Sequence, residues 1–267
     1  MIVLIIIEFM NFFIKKVLSL SLILILFIFF LFLFSPKKIT PEKIENKINQ
    51  TVTKIEEFKE TIIPEPTKIL PDGLPNKYLI KTAFVQQAPE KNWDQPWQDA
   101  CEEASLLTVD FYYKNKSTTP EIVRDSILDM IKFEETQNFT KDMNISQMAL
   151  VGEQYLNYQT KIIDNPTIEE LKKYVSQNIP IIVTANGKTL YAENKHFKSG
   201  GPYYHSLVIL GYDDDKKQFI VHDVGTQFGA YFHYSYSLLL ESIHDFPSSG
   251  QKEDINNGQK KVLILLK

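Results

Sequence analysis

At 267 residues the chain has room for one medium-sized domain plus accessory segments. Its net charge of -4, with no block of Lys and Arg beyond the apolar N-terminus, lacks the electrostatic footprint of a nucleic-acid binder, so no such partner is expected. A single cysteine, Cys101, excludes an intramolecular disulfide and leaves the core alone to hold the fold.

The first 34 residues are almost wholly apolar and the remainder is polar enough for solution. Residues 1–16 read as an apolar leader carrying Glu8, too short to span a bilayer, with Met10 as a second start. Val17 to Phe34 runs without charge or helix breaker. As a helix it would rise about 27 Å, against a hydrocarbon core of about 30 Å. No small-x-small cleavage site follows it, so residues 17–34 are expected to be a retained single-pass membrane anchor. Two lysines lie on each side, and the positive-inside rule barely discriminates between orientations. Anchors of this shape favour an extracytoplasmic C-terminal domain.

Residues 35–76 read as stalk and linker. Ile44, Ile48, Val52, Ile55, Phe58 and Ile62 recur at helical intervals, and Thr40-Pro41 suits an N-cap and first turn. An amphipathic helix lying on a surface is preferred to a short coiled coil, which needs more heptads. Pro64, Pro66, Pro71 and Pro75 make an extended linker, and residues 77–267 form the main domain.

Helices are predicted over Cys101–Tyr113, Pro120–Lys132, Ser146–Tyr158, Thr167–Gln177 and Tyr236–His244. Strands are predicted over Ile179–Thr184, Tyr204–Tyr212, Gln218–Asp223 and Lys261–Leu266. Helices first and antiparallel strands later give an α+β domain with a site at their junction.

A lone free cysteine is usually a small buried hydrophobe. Its position changes that reading, because a helix starting at Ala100 or Cys101 would put the thiol at its N-terminus, with Asp99 placed to cap it. There the macrodipole and free N–H groups favour a thiolate and can hold an oxyanion. Glu102 and Glu103 act in the opposite sense, raising the pKa of a neighbouring thiol, and a cationic base would have to outweigh them.

Five histidines could serve: His196, His205, His222, His233 and His244. If Tyr204–Tyr212 and Gln218–Asp223 form a simple hairpin centred near residue 214, His205 lies opposite Asp223, within reach of a carboxylate–imidazole bond. His222 must then face away from Asp223, which argues against it as partner and against a zinc site shared with His205. His196 sits in a loop read as surface or substrate-facing. Trp93, Trp97, Tyr203, Tyr204, Tyr231 and Phe232 could line a peptide cleft, although aromatics at such positions more often pack in the core.

Val85-Gln86-Gln87-Ala88-Pro89, Asn92-Trp93-Asp94, Ala100 to Ser105, Tyr204 to Asp213, His222 to Thr226 and the Tyr236-to-Asp245 segment together resemble the peptidase C39-like family. These are papain-like relatives of the bacteriocin-processing peptidases, and the resemblance runs from about Leu79 to Leu266. It implies a papain-like fold, a nucleophile at Cys101, a base at His205, a third member at Asp223 and a glutamine donating to the oxyanion. Gln87 fits the family's Gln-x-Pro position, and Gln95, six residues before the cysteine, is the alternative. Glu102 stands where many members have Gly, and Val224 where Pro is common. No Walker-type Gly-x4-Gly-Lys-Ser/Thr is present, so the chain is not itself a peptide-exporting ATPase.

The implied activity is cleavage of a peptide or isopeptide bond through a thioester on Cys101, with a peptide or cell-wall peptide as partner and no metal or cofactor. The same residues would serve an acyltransferase or transpeptidase. A binding module that keeps the fold without turnover is the other reading, and oligomeric state leaves no mark in the sequence.

Overall fold

The computed structural model describes residues 73–267. The leader, the anchor read at 17–34 and the amphipathic segment lie outside the described residues. Among those described, no helix is long and apolar enough to cross a membrane.

The domain is α+β, with one antiparallel sheet of seven strands. In chain order the strands are β1 (Lys77–Leu79), β2 (Gln159–Asp164), β3 (Ile181–Asn186), β4 (Tyr204–Asp213), β5 (Gln218–His222), β6 (Phe232–Ser235) and β7 (Lys261–Leu266). Their order across the sheet is β2-β7-β3-β4-β5-β6, with β1 paired to β4 as well. The helices are α1 (Cys101–Lys114), α2 (Pro120–Thr136), α3 (Ile145–Leu150), α4 (Ile168–Ser176), α5 (Gly187–Leu190) and α6 (Tyr236–Ser242).

β3 and β4 are buried at every residue, which explains their near-continuous apolar runs. β4 is central: β3 pairs with its first half, β1 with its second, and β5 runs along its other edge. Chain-local patterning located these elements to within a few residues. It missed strands β1, β2 and β6 and the short helix α5, and it extended a helix to Tyr158 where the chain ends α3, makes a π-turn over Val151–Tyr155 and enters β2. Gly152 lets this turn pack closely on β7, because a Cβ there would sit 2.7 Å from Leu265 Cδ2.

α1 is buried on all sides from Cys101 to Phe111, since it packs against β4 and α2. Each fully buried Leu or Phe contributes about 1.5–3 kcal/mol relative to an exposed position. The helix ends at Asn115, whose left-handed φ of 50° lets its N–H reach the Phe111 and Tyr112 carbonyls. The same burial encloses Glu102 and Glu103, and the Glu134 carboxyl of α2 lies beside Glu103.

Burial, followed by the nearby Glu103 charge, pushes Glu134 up to about 10, while burial pushes Glu103 to about 7. Both folded-state values lie above the ordinary glutamate value of about 4.3. The stability these groups contribute is therefore full below that pH and is lost as pH rises through 7 and 10. Glu134→Gln keeps a hydrogen-bond donor toward Glu103 without a proton to lose. Its Tm at pH 8 should rise by about 2–4 °C, the shift given by about 1 kcal/mol in a domain of this size, with little change at pH 5. Equal melting curves for the two proteins at both pH values would refute this account.

Candidate active site

Cys101 opens α1 and is 6% exposed. The helix N-cap is Ala100, without a side-chain cap bond. Asp99 does not cap it because its carboxylate accepts from Gln95 Nε2 (2.7 Å) and faces Lys141 at 3.8 Å. The thiol donates to Glu102 Oε2 at 3.0 Å, and among the described residues no hydrogen bond joins it to His205. Burial pushes the thiol well above its ordinary value, and the Glu102 and Glu103 carboxylates push it further, against a backbone bond to Ser206. Burial first, and the acidic neighbours after it, thus favour the thiol over the thiolate in this state.

His205 lies on β4, and its Nε2 is 2.8 Å from Asp223 Oδ1. The expected opposition of the two residues does not occur. β4 and β5 pair Val208 with His222 and Ile209 with Val221, so the hairpin is centred near 215 and Asp223 lies just past the paired strand. The displacement is two residues, and a two-residue shift preserves the face on which a side chain stands. Asp223 therefore reaches His205 diagonally, over a separation a carboxylate can span.

Parity itself depends on one irregularity. Nearer the turn, Gly211 pairs with Ile220 and Asp213 with Gln218, a register that would place even-numbered β5 residues on the face of His205. A bulge between Ile209 and Gly211 corrects this and turns Asp223, rather than His222, toward the imidazole. At the bulge the Leu210 carbonyl accepts from Ile80 N–H, tying in the strand that leads to Gln87. His222, on the opposite face, packs edge-on against Phe84 and Tyr231 with both ring nitrogens unpartnered, and burial alone lowers it to about 3.

Asp223 is fully buried and holds four donors. Oδ1 accepts from His205 Nε2 and from Gly225 N–H at 3.3 Å. Oδ2 accepts from the Tyr234 hydroxyl at 2.6 Å and Asn194 Nδ2 at 2.9 Å. Burial opposes its charge, but His205, Tyr234 and Asn194 together bring the carboxyl below its ordinary value. Asn194 is itself oriented, since its Oδ1 accepts from His196 N–H. Neither Asn194 nor Tyr234 was legible beforehand: one lies in an irregular loop and the other on the unrecognised strand β6.

Gln87 is 4% exposed and lines one cleft of about 530 Å³ with Cys101 and His205. Its backbone N–H donates to the Val224 carbonyl, and its Nε2 donates to the Trp97 carbonyl at 2.9 Å, leaving one amide hydrogen uncommitted. Gln95 does not join this site. It lines a separate recess with Asp99 and Glu103, because its side chain turns to Asp99. Trp93, Phe197, Tyr204 and Phe228 contribute aromatic walls, and His196 stacks on Phe228 with centroids 4.6 Å apart. Tyr231 instead packs against His222 and exchanges hydrogen bonds with Thr82.

The arrangement offers a thiol at a helix start, an oriented imidazole and amide donors around one cleft. A family model described as the Peptidase_C39 like family matches residues 80–243. Among solved structures, the chain resembles a protein described as a C39-like peptidase from Bacillus anthracis. That match has 14% identity and a TM-score of 0.44, covering 72% of this chain and 98% of that one. It also resembles xylellain, a cysteine protease from Xylella fastidiosa, at 12% identity and a TM-score of 0.41, covering 73% of this chain and 87% of that one. No curated protein matches the chain in sequence.

Proposed function

The chain belongs to the Peptidase_C39 like family, and from that premise we propose that it is a cysteine peptidase using Cys101, His205 and Asp223. The observation that carries this reading is the 2.8 Å bond from His205 Nε2 to Asp223. It leaves Nδ1 as the ring nitrogen for the thiol proton, on a residue that shares its cleft with Cys101.

In the proposed reaction the thiol proton passes from Cys101 Sγ to His205 Nδ1, and the thiolate attacks an amide carbonyl. The carbonyl oxygen takes up the displaced electron pair and is held by the α1 N-terminal N–H and the free amide hydrogen of Gln87. His205 then protonates the leaving amine, and Asp223 keeps the imidazole oriented throughout. Water attacks the resulting thioester and restores the thiol. A peptide or cell-wall peptide is the substrate, and residues 17–34 hold the domain at the outer face of a membrane.

A second reading has its own support. The thiol bonds to Glu102 and is pushed up by burial, as suits a peptide-binding module with an inert cysteine. Mass spectrometry of a peptide library, including cell-wall peptides, exposed to the full-length chain separates the two. Cleavage that falls by about 10³ or more in Cys101→Ala and His205→Ala supports the peptidase. Peptide capture without cleavage, equal in Cys101→Ala, would support the binding module. An acyltransferase would produce joined rather than shortened peptides.

A further inference from the structure

Glu102 stands next to the candidate nucleophile, is fully buried, and has a defined partner at each carboxylate oxygen. Oε2 accepts from the Cys101 thiol at 3.0 Å, and Oε1 accepts from the Met143 N–H at 3.0 Å. The Met143 carbonyl in turn accepts from the Tyr204 hydroxyl at 2.6 Å. Tyr204 immediately precedes His205 on β4. One carboxylate thus ties the thiol, through the segment before α3, to the strand carrying the imidazole. A buried carboxylate without such partners would be costly, so this bonding fixes its place.

We propose, resting on the peptidase reading, that Glu102 is a positioning residue that latches the nucleophile: in the resting chain it takes the thiol hydrogen bond that His205 must receive for reaction. On substrate entry Cys101 turns from Glu102 to His205. The Sγ–H bond then breaks, its proton goes to Nδ1, and the sulfur lone pair attacks the carbonyl. Glu102 remains bonded to Met143 and keeps the pocket wall in place.

The electrostatics pull both ways: burial and Glu103 oppose the Glu102 charge, and the bond from the thiol supports it. The carboxylate in turn favours the thiol. Other ionisable groups face this pair: Glu103 on α1, Asp142 before α3, Tyr204 on β4 and Glu134 of α2 behind Glu103, while His205 lines the same cleft as the thiol. Among these, the one bonded to the sulfur is Glu102.

The test is the pH profile of iodoacetamide alkylation at Cys101 in the full-length chain. Glu102→Gln keeps an acceptor for Met143 and offers the sulfur a donor instead of a charge. Its inflection should fall by about one pH unit or more, giving about tenfold faster alkylation below both inflections. Adding His205→Ala to Glu102→Gln should reverse part of that fall, because the released thiol pairs with the imidazole. An unmoved inflection in Glu102→Gln overturns the latch. So does a fall that His205→Ala leaves untouched, since that reports removal of charge alone. Should Glu102→Gln not fold, Glu102→Asp, too short to reach both partners, should move the profile in the same direction, and an unchanged profile there is equally fatal. Peptide cleavage is measured separately, so the latch can fail while the peptidase reading stands.

Discussion

Asp223→Asn should lower kcat for peptide cleavage by about 10⁴ while leaving the fold intact, the scale expected when an orienting carboxylate is replaced by its amide. The reason lies in the donors around Asp223. Tyr234 and Asn194 both donate to Oδ2, and the Asn194 amide is held in that orientation by the His196 N–H on its oxygen. The new side-chain oxygen must stay on that side, and its NH₂ group then faces His205 Nε2. Nε2 can accept that bond only without its own hydrogen, so the hydrogen moves to Nδ1, the atom that takes the thiol proton in the proposed reaction. The catalytic tautomer is lost although the side chain keeps its shape. Nitrogen-15 shifts of the His205 ring, read beside kcat, check the account. A kcat within tenfold of wild type, or an unchanged tautomer, would remove Asp223 from the mechanism.

Gly225→Ala, a change outside the proposed triad, should cause about 10²-fold loss of kcat, the penalty associated with misplacing a reacting group by about 1 Å. A Cβ at this position would lie 2.5 Å from His205 Cε1, 3.1 Å from Nε2 and 3.2 Å from Nδ1. The ring has no simple escape, because Nε2 is tied to Asp223 and Phe197 packs edge-on against it at 5.2 Å. Either the imidazole shifts off its line to the thiol or the 224–229 loop is pushed outward. The loop cannot yield easily, since Gly229 lies so close to the Asp223 carbonyl that its own Cβ would be 1.7 Å away. Circular dichroism and melting of the variant, compared with its kcat, separate ring displacement from unfolding. Full activity in a folded Gly225→Ala protein would mean that the imidazole position is not limiting.

Much of the framework was legible in the residues. α1 was placed because Ala104, Leu107 and Phe111 repeat at helical steps after a loop with Pro96, and β4 because its run of Val, Leu and Ile suits a strand covered on both faces. Gln87 and Gln95 could not be separated by spacing. Each lies in a polar loop before the cysteine, and only the turn of Gln95 to Asp99 removes it from the cleft. The Asp99 cap failed for the same reason, since that carboxylate was already engaged.

The sequence by itself determined which residues of one strand share a face. Periodicity is a property of neighbours along the chain, so Asp223 and His222 could be placed on opposite faces, whereas which of them meets His205 depended on the bulge in β4. The tertiary structure alone decided the register, through a bulge beside the Leu210–Ile80 bond, and the partners that complete the site. Asn194 and Tyr234 meet Asp223 across 29 and 11 residues, and Glu102 meets Met143 across 41. No local pattern encodes such contacts. They exist because packing the helices on the sheet buries these polar groups, and a buried polar group must find its partner wherever the fold has brought one.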